Sequence, residues 1–179
     1  LFHPMNIHAL PAGKDAPRDI NVFIEIPWNS AVKYEPDPET GFLFVDRFLH
    51  TQMSYPANYG SIPSTKGGDG DELDALVVTD IPLVPMSVIR ARPIGVLKME
   101  DEGGMDEKII TVPHEKINPM YKNVKSVSDL PEILVKKIEH FFEHYKDLEP
   151  NKWVKVTGWG SAEDAQKLIE EGIARHSAK

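Results

Sequence analysis

The sequence predicts an α+β, mainly β domain: a small barrel of short strands carrying helices on its outside. Three observations carry that expectation. Fifteen prolines and twelve glycines are scattered along 179 residues and cut the first two-thirds into short segments, as in strands joined by turns. Those segments are rich in Val, Ile and Phe, the residues that suit a pleated, half-buried surface. Past Ser128 the apolar residues recur every three or four positions instead, which is the period of a helix. Nothing repeats. A chain of this length fits one domain, expected over residues 10–179. Residues 1–9 read as an N-terminal extension or an expression remnant, because Leu1-Phe2-His3-Pro4 ahead of Met5 has neither the basic region nor the apolar core of a targeting signal.

In chain order, Ile20, Val22, Ile24 and Ile26 alternate with Asn21, Phe23 and Glu25, so one face of a strand is apolar and Glu25 points away from it. Further strands are expected at Val32–Glu35, where Lys33 and Glu35 share a face, and at Gly41–Phe48, Leu73–Val78, Val88–Met99 and Lys108–Val112. Asp129-Leu-Pro-Glu132 has the cap-plus-three spacing of a helix start, and Leu134, Ile138, Phe141, Tyr145 and Leu148 continue it as a helix over Leu130–Leu148. A strand near Trp153–Thr157 follows. Ser161-Ala-Glu-Asp164 is a second capping box, opening a terminal helix whose inner face is Ala165, Leu168, Ile169 and Ile173.

The net charge of −8 argues against a sequence-independent grip on nucleic acid or anionic lipid and favours a cation as complement. Cysteine is absent, which removes disulfides, thiolate metal sites and cysteine nucleophiles and suits a reducing compartment. No apolar run approaches a membrane span; Ile81–Met86 is apolar but carries Pro82 and Pro85.

Chemistry concentrates in Gly67-Gly-Asp-Gly-Asp-Glu-Leu-Asp74. Two carboxylates about 5 Å apart repel by roughly 3 kcal/mol at an effective dielectric of about 20, so gathering Asp69, Asp71 and Asp74 requires a positive counterweight. Mg²⁺ fits, since it takes a few carboxylates and leaves room for water and phosphate oxygens; a solvated acidic turn is the plain alternative. A calcium loop of the EF-hand type fails at Leu73, Asp74 and Asp80, which stand at its fifth, sixth and twelfth positions. Glu100-Asp-Glu-Gly-Gly-Met-Asp106 is a hairpin turn by itself. Beside the first loop it is a second set of hard oxygen ligands, the arrangement of a multi-metal phosphoryl-transfer site. His140-Phe-Phe-Glu143-His144 matches the H-x-x-E-H pattern of inverted zinc peptidases, against the reading of an ordinary helix face or subunit contact. Lys146 is a snorkelling lysine or a phosphate ligand. Tyr55 and Tyr59 read as half-buried core or catalytic groups, and Arg47 as half of a surface pair with Asp46.

Asp69-Gly-Asp-Glu-Leu-Asp-Ala75 closely resembles the signature of soluble family I inorganic pyrophosphatases of bacterial type. The agreement extends through Pro11–Lys14, Ile24–Pro27, Lys33–Glu35, Val45–Arg47, Tyr55-Pro56, Asn58–Gly60, Arg92–Gly95 and His140–Lys146. This resemblance implies a five-stranded OB-like closed barrel with two main helices packed outside. It implies Mg²⁺-dependent hydrolysis of pyrophosphate to two phosphates, several Mg²⁺ ions per site, a homohexamer, and a cytoplasmic location. By position, Asp69, Asp74, Asp101, Asp106 and Glu25 resemble the metal ligands and Asp71 the general base for in-line attack by a metal-activated water. Lys33, Arg47, Lys108, Tyr145 and Lys146 resemble the phosphate grip, with Tyr55 near the reacting centre and Glu35 in support. Trp28 departs from the family, in a loop where small residues are usual, and the segment before Leu10 has no counterpart. The resemblance also places His140 and His144 at a subunit contact. An OB-like binding module with structural cations is the rival reading; without a basic, aromatic-studded groove it is a poor nucleic-acid binder, so neither nucleic acid nor membrane is expected as a partner.

Overall fold

The computed structural model describes residues 9–178; the extension expected at residues 1–9 lies, but for Ala9, outside them. The elements are β1 (Ile20–Ile26), β2 (Val32–Pro36), β3 (Leu43–Phe48), β4 (Asn58–Ile62), β5 (Leu73–Val77), β6 (Val88–Asp101), β7 (Gly104–Met105), β8 (Lys108–Pro113), α1 (Glu132–His144), β9 (Val154–Gly160) and α2 (Ala162–Ser177). The fold is mainly β with two helices, as the alternating and helical periods predict.

The main sheet runs β1-β4-β5-β8-β6, and β6 pairs in turn with β1, so the path of pairings returns to its first strand. β7 and β9 add to β6, and β2 and β3 form a separate two-stranded sheet. Among the described strands only β5 and β8 run parallel, with Asp74 beside Lys108. That register sets the end of each acidic loop next to the other.

Both faces of the sheet are apolar. On one, Ile20, Val22, Ile24, Ala75, Val77 and Ile109 pack with Ala165 and Ile169 of α2. On the other, Leu76, Leu97, Ile110 and Val112 pack with Ile138, Phe141 and Phe142 of α1. Successive residues thus serve opposite cores, each large side chain contributing about 1.5–3 kcal/mol of burial. Phe23, on the polar face of β1 by alternation, is buried as well.

Three sequence expectations need correction. Helix α1 is shorter than Leu130–Leu148, and Asp129 does not cap it. Leu130 is extended (φ −79, ψ 155) because a residue ahead of proline is pushed out of the helical region. Asp129 instead accepts the backbone N–H groups of Lys125 and Ser126 at 2.8 and 2.9 Å, closing a short 3₁₀ turn at Val127–Asp129; beyond the helix, Leu148 is exposed. The second capping box forms as expected, Asp164 N–H donating to Ser161 Oγ at 3.1 Å and Ser161 N–H to Asp164 Oδ2 at 2.8 Å. β4 was not foreseen as a strand. Its Gly60 weakens the β signal, yet a Cβ there would lie 1.8 Å from the Phe23 carbonyl oxygen, so close approach of β1 demands glycine. Finally, the strand expected from Gly41 begins at Leu43, after Gly41 at φ 74. Among the described residues no helix is long and apolar enough to cross a membrane.

Candidate active site

The parallel β5–β8 pair brings the two acidic loops together around one ammonium. Lys108 Nζ donates to Asp74 Oδ2 and Asp106 Oδ1, both at 2.6 Å, and to the Tyr59 hydroxyl at 3.1 Å. Lys108 is buried, with the Tyr59 and Phe142 rings 5.3 and 5.7 Å from its nitrogen. Burial works to lower its pKa, but the attraction of Asp74 and then Tyr59 and Asp106 prevails and holds it well above the ordinary lysine value. Asp106 is pushed up by burial, against Lys108 and with Asp74. A buried ammonium shared by two carboxylates is therefore charged, and the acids around it still outnumber it.

A second lysine closes the next side. The β6–β7 hairpin turns at Glu102-Gly103, with Asp101 opposite Gly104, and Asp101 Oδ1 accepts the Gly103 N–H at 2.8 Å. Its other oxygen accepts Lys146 Nζ at 2.8 Å. Lys146 and Tyr145 come directly after α1, whose buried Phe141 and Phe142 fix that end of the helix; the Tyr145 ring stacks on Phe141 at 5.0 Å. Lys146 is thus a paired, half-buried group and not a snorkelling one. Burial opposes its charge, while Tyr145 and Asp101 raise its pKa overall.

Glu25 projects from the polar side of β1. Burial, with added repulsion from Asp74, raises its carboxyl to about 8, a hydrogen bond from Ser61 working the other way. Tyr55 is fully packed, its ring 4.8 Å from Phe141 and 5.4 Å from Tyr59. Burial raises the phenols of Tyr55, Tyr59 and Tyr145, so all three remain protonated donors at neutral pH.

Lys33 and Arg47 face each other across β2 and β3. Tyr34 pairs with Val45, so Asp46 is the extra residue of a bulge. It takes the Arg47 Nε–H at 2.6 Å and lies 3.6 Å from Lys33 Nζ. Arg47 also donates to the buried Glu149. Glu35 bonds to Asp46 and adds to the repulsion felt by Glu25, linking this group to the acids.

Asp69 and Asp71 stand apart, on the exposed loop before β5. Asp69 Oδ1 accepts the Asp71 N–H at 3.0 Å, the Gly67 N–H closes on the Asp71 carbonyl at 2.7 Å, and Gly70 makes the turn at φ +97. The Asp71 carboxylate has no partner among the described residues. The structure therefore interlinks Glu25, Glu35, Asp74, Asp101, Asp106, Lys108, Tyr55, Tyr145 and Lys146, sets Lys33 and Arg47 alongside, and leaves Asp69 and Asp71 on their own loop. The sequence reading missed Tyr59, Asp46 and Glu149 as site members. Tyr59 and Asp46 sit inside segments already singled out, whereas Glu149 lies 102 positions from Arg47, beyond any local signal. A mainly apolar cavity of about 330 Å³ lined by Trp28, Ala57, Val78, Tyr121 and Leu134 shares none of the predicted site residues.

The donor set is one of hard oxygens interleaved with ammonium and guanidinium groups. Half-buried carboxylates, one of them held up to about 8, invite a divalent cation; the cations beside them suit phosphate oxygens.

Comparison with known proteins agrees with this chemistry. A family profile described as inorganic pyrophosphatase matches residues 22–177. The chain is 63% identical over 170 residues to an inorganic pyrophosphatase of Gluconobacter oxydans, covering 95% of this chain and 98% of that protein. It is 58% identical over 171 residues to one of Pseudomonas aeruginosa, covering 95% and 98%. The crystal structure of the inorganic pyrophosphatase from Thermus thermophilus superposes with a TM-score of 0.93 at 43% identity, covering 97% of this chain and 100% of that one.

Proposed function

The chain belongs to the inorganic pyrophosphatase family, whose members hydrolyse pyrophosphate, and from that premise we propose that it splits pyrophosphate into two phosphates with Mg²⁺ as cofactor. The observation that carries this reading is Lys108 held between Asp74 and Asp106 at 2.6 Å, one ammonium among carboxylates that outnumber it. That balance takes up divalent cations and a small polyanion together. The ring of strand pairings supports reading the main sheet as an OB-like closed barrel.

Asp74, Asp101, Asp106, Glu25 and Asp69 would hold Mg²⁺. When bound, it lowers the pKa of water and neutralises charge on the departing phosphate. The residues do the rest. Lys33, Arg47, Lys108 and Lys146 exchange their carboxylate partners for phosphate oxygens, and Arg47 offers two parallel donors to a single phosphoryl group. Tyr55 and Tyr145, kept protonated, border the reacting phosphorus as donors. Asp71, whose carboxylate is unpaired, accepts the proton of the water attacking in line. Glu35 orients Asp46, and Asp46 and Glu149 orient Arg47. No covalent intermediate is formed.

Phosphate release from pyrophosphate, measured with Mg²⁺ and with Mg²⁺ chelated, tests the reading. Release that requires the ion is the expected result, and no release under either condition would overturn it. The same reading carries a homohexamer in the cytoplasm. Exposed Phe42, Phe44 and Phe48 around β3 support burial between subunits, and a solution mass of one chain would exclude it.

A further inference from the structure

We propose that Glu139 is a positioning residue for the phosphate grip. Through its hydrogen bond to the Trp159 indole it ties α1 to the rung of strands that carries Lys108 and Asp74, and so sets where Tyr145 and Lys146 stand. The inference rests on the hydrolytic reading above and adds to it a residue outside the proposed site.

Glu139 Oε2 accepts the Trp159 Nε1–H at 2.6 Å, in a half-buried position. A short bond to a carboxylate is of the stronger, charge-assisted kind, and this one sits beside the apolar cluster in which Phe141, Phe142 and Trp159 pack. Across the sheet, Trp159 of β9 is paired with Leu97 of β6, Leu97 with Lys108 of β8, and Lys108 with Asp74 of β5. Cross-strand partners point to the same face of a sheet. One rung therefore runs from the indole to the ammonium and carboxylate at the centre of the site.

The helix side matches the sheet side. Glu139, Phe142 and Lys146 follow one another at i, i+3 and i+7, so they share one edge of α1 and its continuation, the edge turned to the chain's own sheet and away from His140 and His144. The Phe142 ring lies 5.7 Å from Lys108 Nζ, and Lys146 Nζ reaches Asp101 Oδ2 at 2.8 Å. The edge is thus tied twice to the main sheet, by Trp159 at Glu139 and by Asp101 at Lys146. When phosphate takes the place of Asp101 on Lys146, the second tie is given up. The first is not, because it lies outside that exchange. The Tyr145 N–H still donates to the Phe141 carbonyl at 2.8 Å, so the helical turn carries any shift at Glu139 on to the two residues that face the substrate.

The test compares E139M, E139Q, W159F and the E139M/W159F double variant in steady-state phosphate release from pyrophosphate with Mg²⁺, well below the Tm of every variant. Methionine keeps the length and helix preference of glutamate without its acceptor, whereas glutamine keeps the acceptor. E139M and W159F should each lower kcat/KM about tenfold, less than the 10² fold that a misplacement of about 1 Å can cost. The loss should fall chiefly on KM, since Lys146 grips phosphate in the resting complex as well. E139Q should stay within about twofold of the parent, and the double variant should be no worse than either single one, as for two groups that act through one bond. Circular dichroism confirms each fold, and W159F against E139Q decides the case if E139M does not fold. With an active parent, unchanged kinetics in E139M and W159F, an E139Q as impaired as E139M, or additive losses in the double variant overturn the proposal alone. A parent that releases no phosphate overturns the hydrolytic reading, and the proposal with it.

Discussion

The two glycine-spaced acidic loops look alike in sequence and are unlike in space. Around Asp101 and Asp106 the carboxylates are held by lysines, Lys146 at 2.8 Å and Lys108 at 2.6 Å. Even Glu102 at the turn, where burial counts against its charge, is drawn down to about 2 by Lys152, its own backbone and Lys146. Around Asp69 and Asp71 the loop turns back on itself through the Gly67 N–H to Asp71 and the Asp71 N–H to Asp69, and among the described residues the exposed Asp71 carboxylate has no partner. The difference separates two tasks. On the proposed reading, the acids at rigid strand ends hold the metal ions, and the cations paired with them exchange those carboxylates for phosphate oxygens. On the same reading, the acid with no partner moves the proton.

The most direct way to break this distinction is Asp71→Asn. If the free carboxylate is the base, turnover falls by about 10²–10⁴ fold while Mg²⁺ affinity and the unfolding curve stay close to those of the parent. Steady-state phosphate release with a parallel melt measures both, and turnover within a few fold of the parent would assign the proton elsewhere. On the other loop the expected loss is stability. Lys108→Met leaves Asp74 and Asp106 facing each other without their ammonium. Breaking such a buried pair costs about 3–5 kcal/mol, read as a lowered denaturant midpoint. Added Mg²⁺ should restore more of the midpoint in the variant than in the parent, because the ion replaces the missing charge. An equal Mg²⁺ effect in both would mean that these acids are not where the cation sits.

This contrast also marks how far the sequence could be read. The strand and helix periods gave the mainly β architecture and the terminal capping box at Ser161, because those signals are local. The acidic loops and the motifs around Tyr55, Arg47 and Lys146 named most of the side chains that the candidate site brings together, for the same reason. Partnership was not legible. That Lys108 neutralises Asp74 follows from a parallel strand register, and that Glu149 orients Arg47 follows from a contact between distant segments. The α1 boundary was misjudged at a proline, where the restriction on Leu130 outweighed the capping pattern. β4 was hidden by Gly60, a residue chosen for backbone approach and not for strand propensity.

Arg47 sharpens the comparison from the phosphate side. Asp46 and Glu149 hold two separate nitrogens of its guanidinium, an arrangement that a lysine cannot reproduce. Arg47→Lys keeps the charge but loses the paired donors. A hydrogen bond to a charged group contributes about 1.5–3 kcal/mol, so kcat/KM should drop by roughly 10–100 fold. Glu149→Gln should follow in the same direction with a smaller loss, felt more in KM than in kcat if its role is to aim the arginine. Unchanged kinetics in both variants would place this pair outside the phosphate grip.

The smallest effect expected is a pH dependence that reports on crowding among the paired acids. Glu25 titrates at about 8 in the folded chain against 4.5 for a free glutamate, first from burial and then from Asp74. Between those values the folded state binds the extra proton, so this contribution to stability is full below 4.5 and lost as pH rises through about 8. A bound divalent cation favours the ionised carboxylate and reverses the sign. Melting curves in chelator should therefore show Tm falling between about pH 4.5 and about pH 8 and levelling off above it, with the gain on adding Mg²⁺ growing over the same interval. Glu25→Gln should flatten both trends, since it keeps the shape and removes the titration. If the slope in chelator persists in that variant, the strain resides in Asp106, the other carboxylate that burial raises, and the cation is drawn to the strand ends without help from β1.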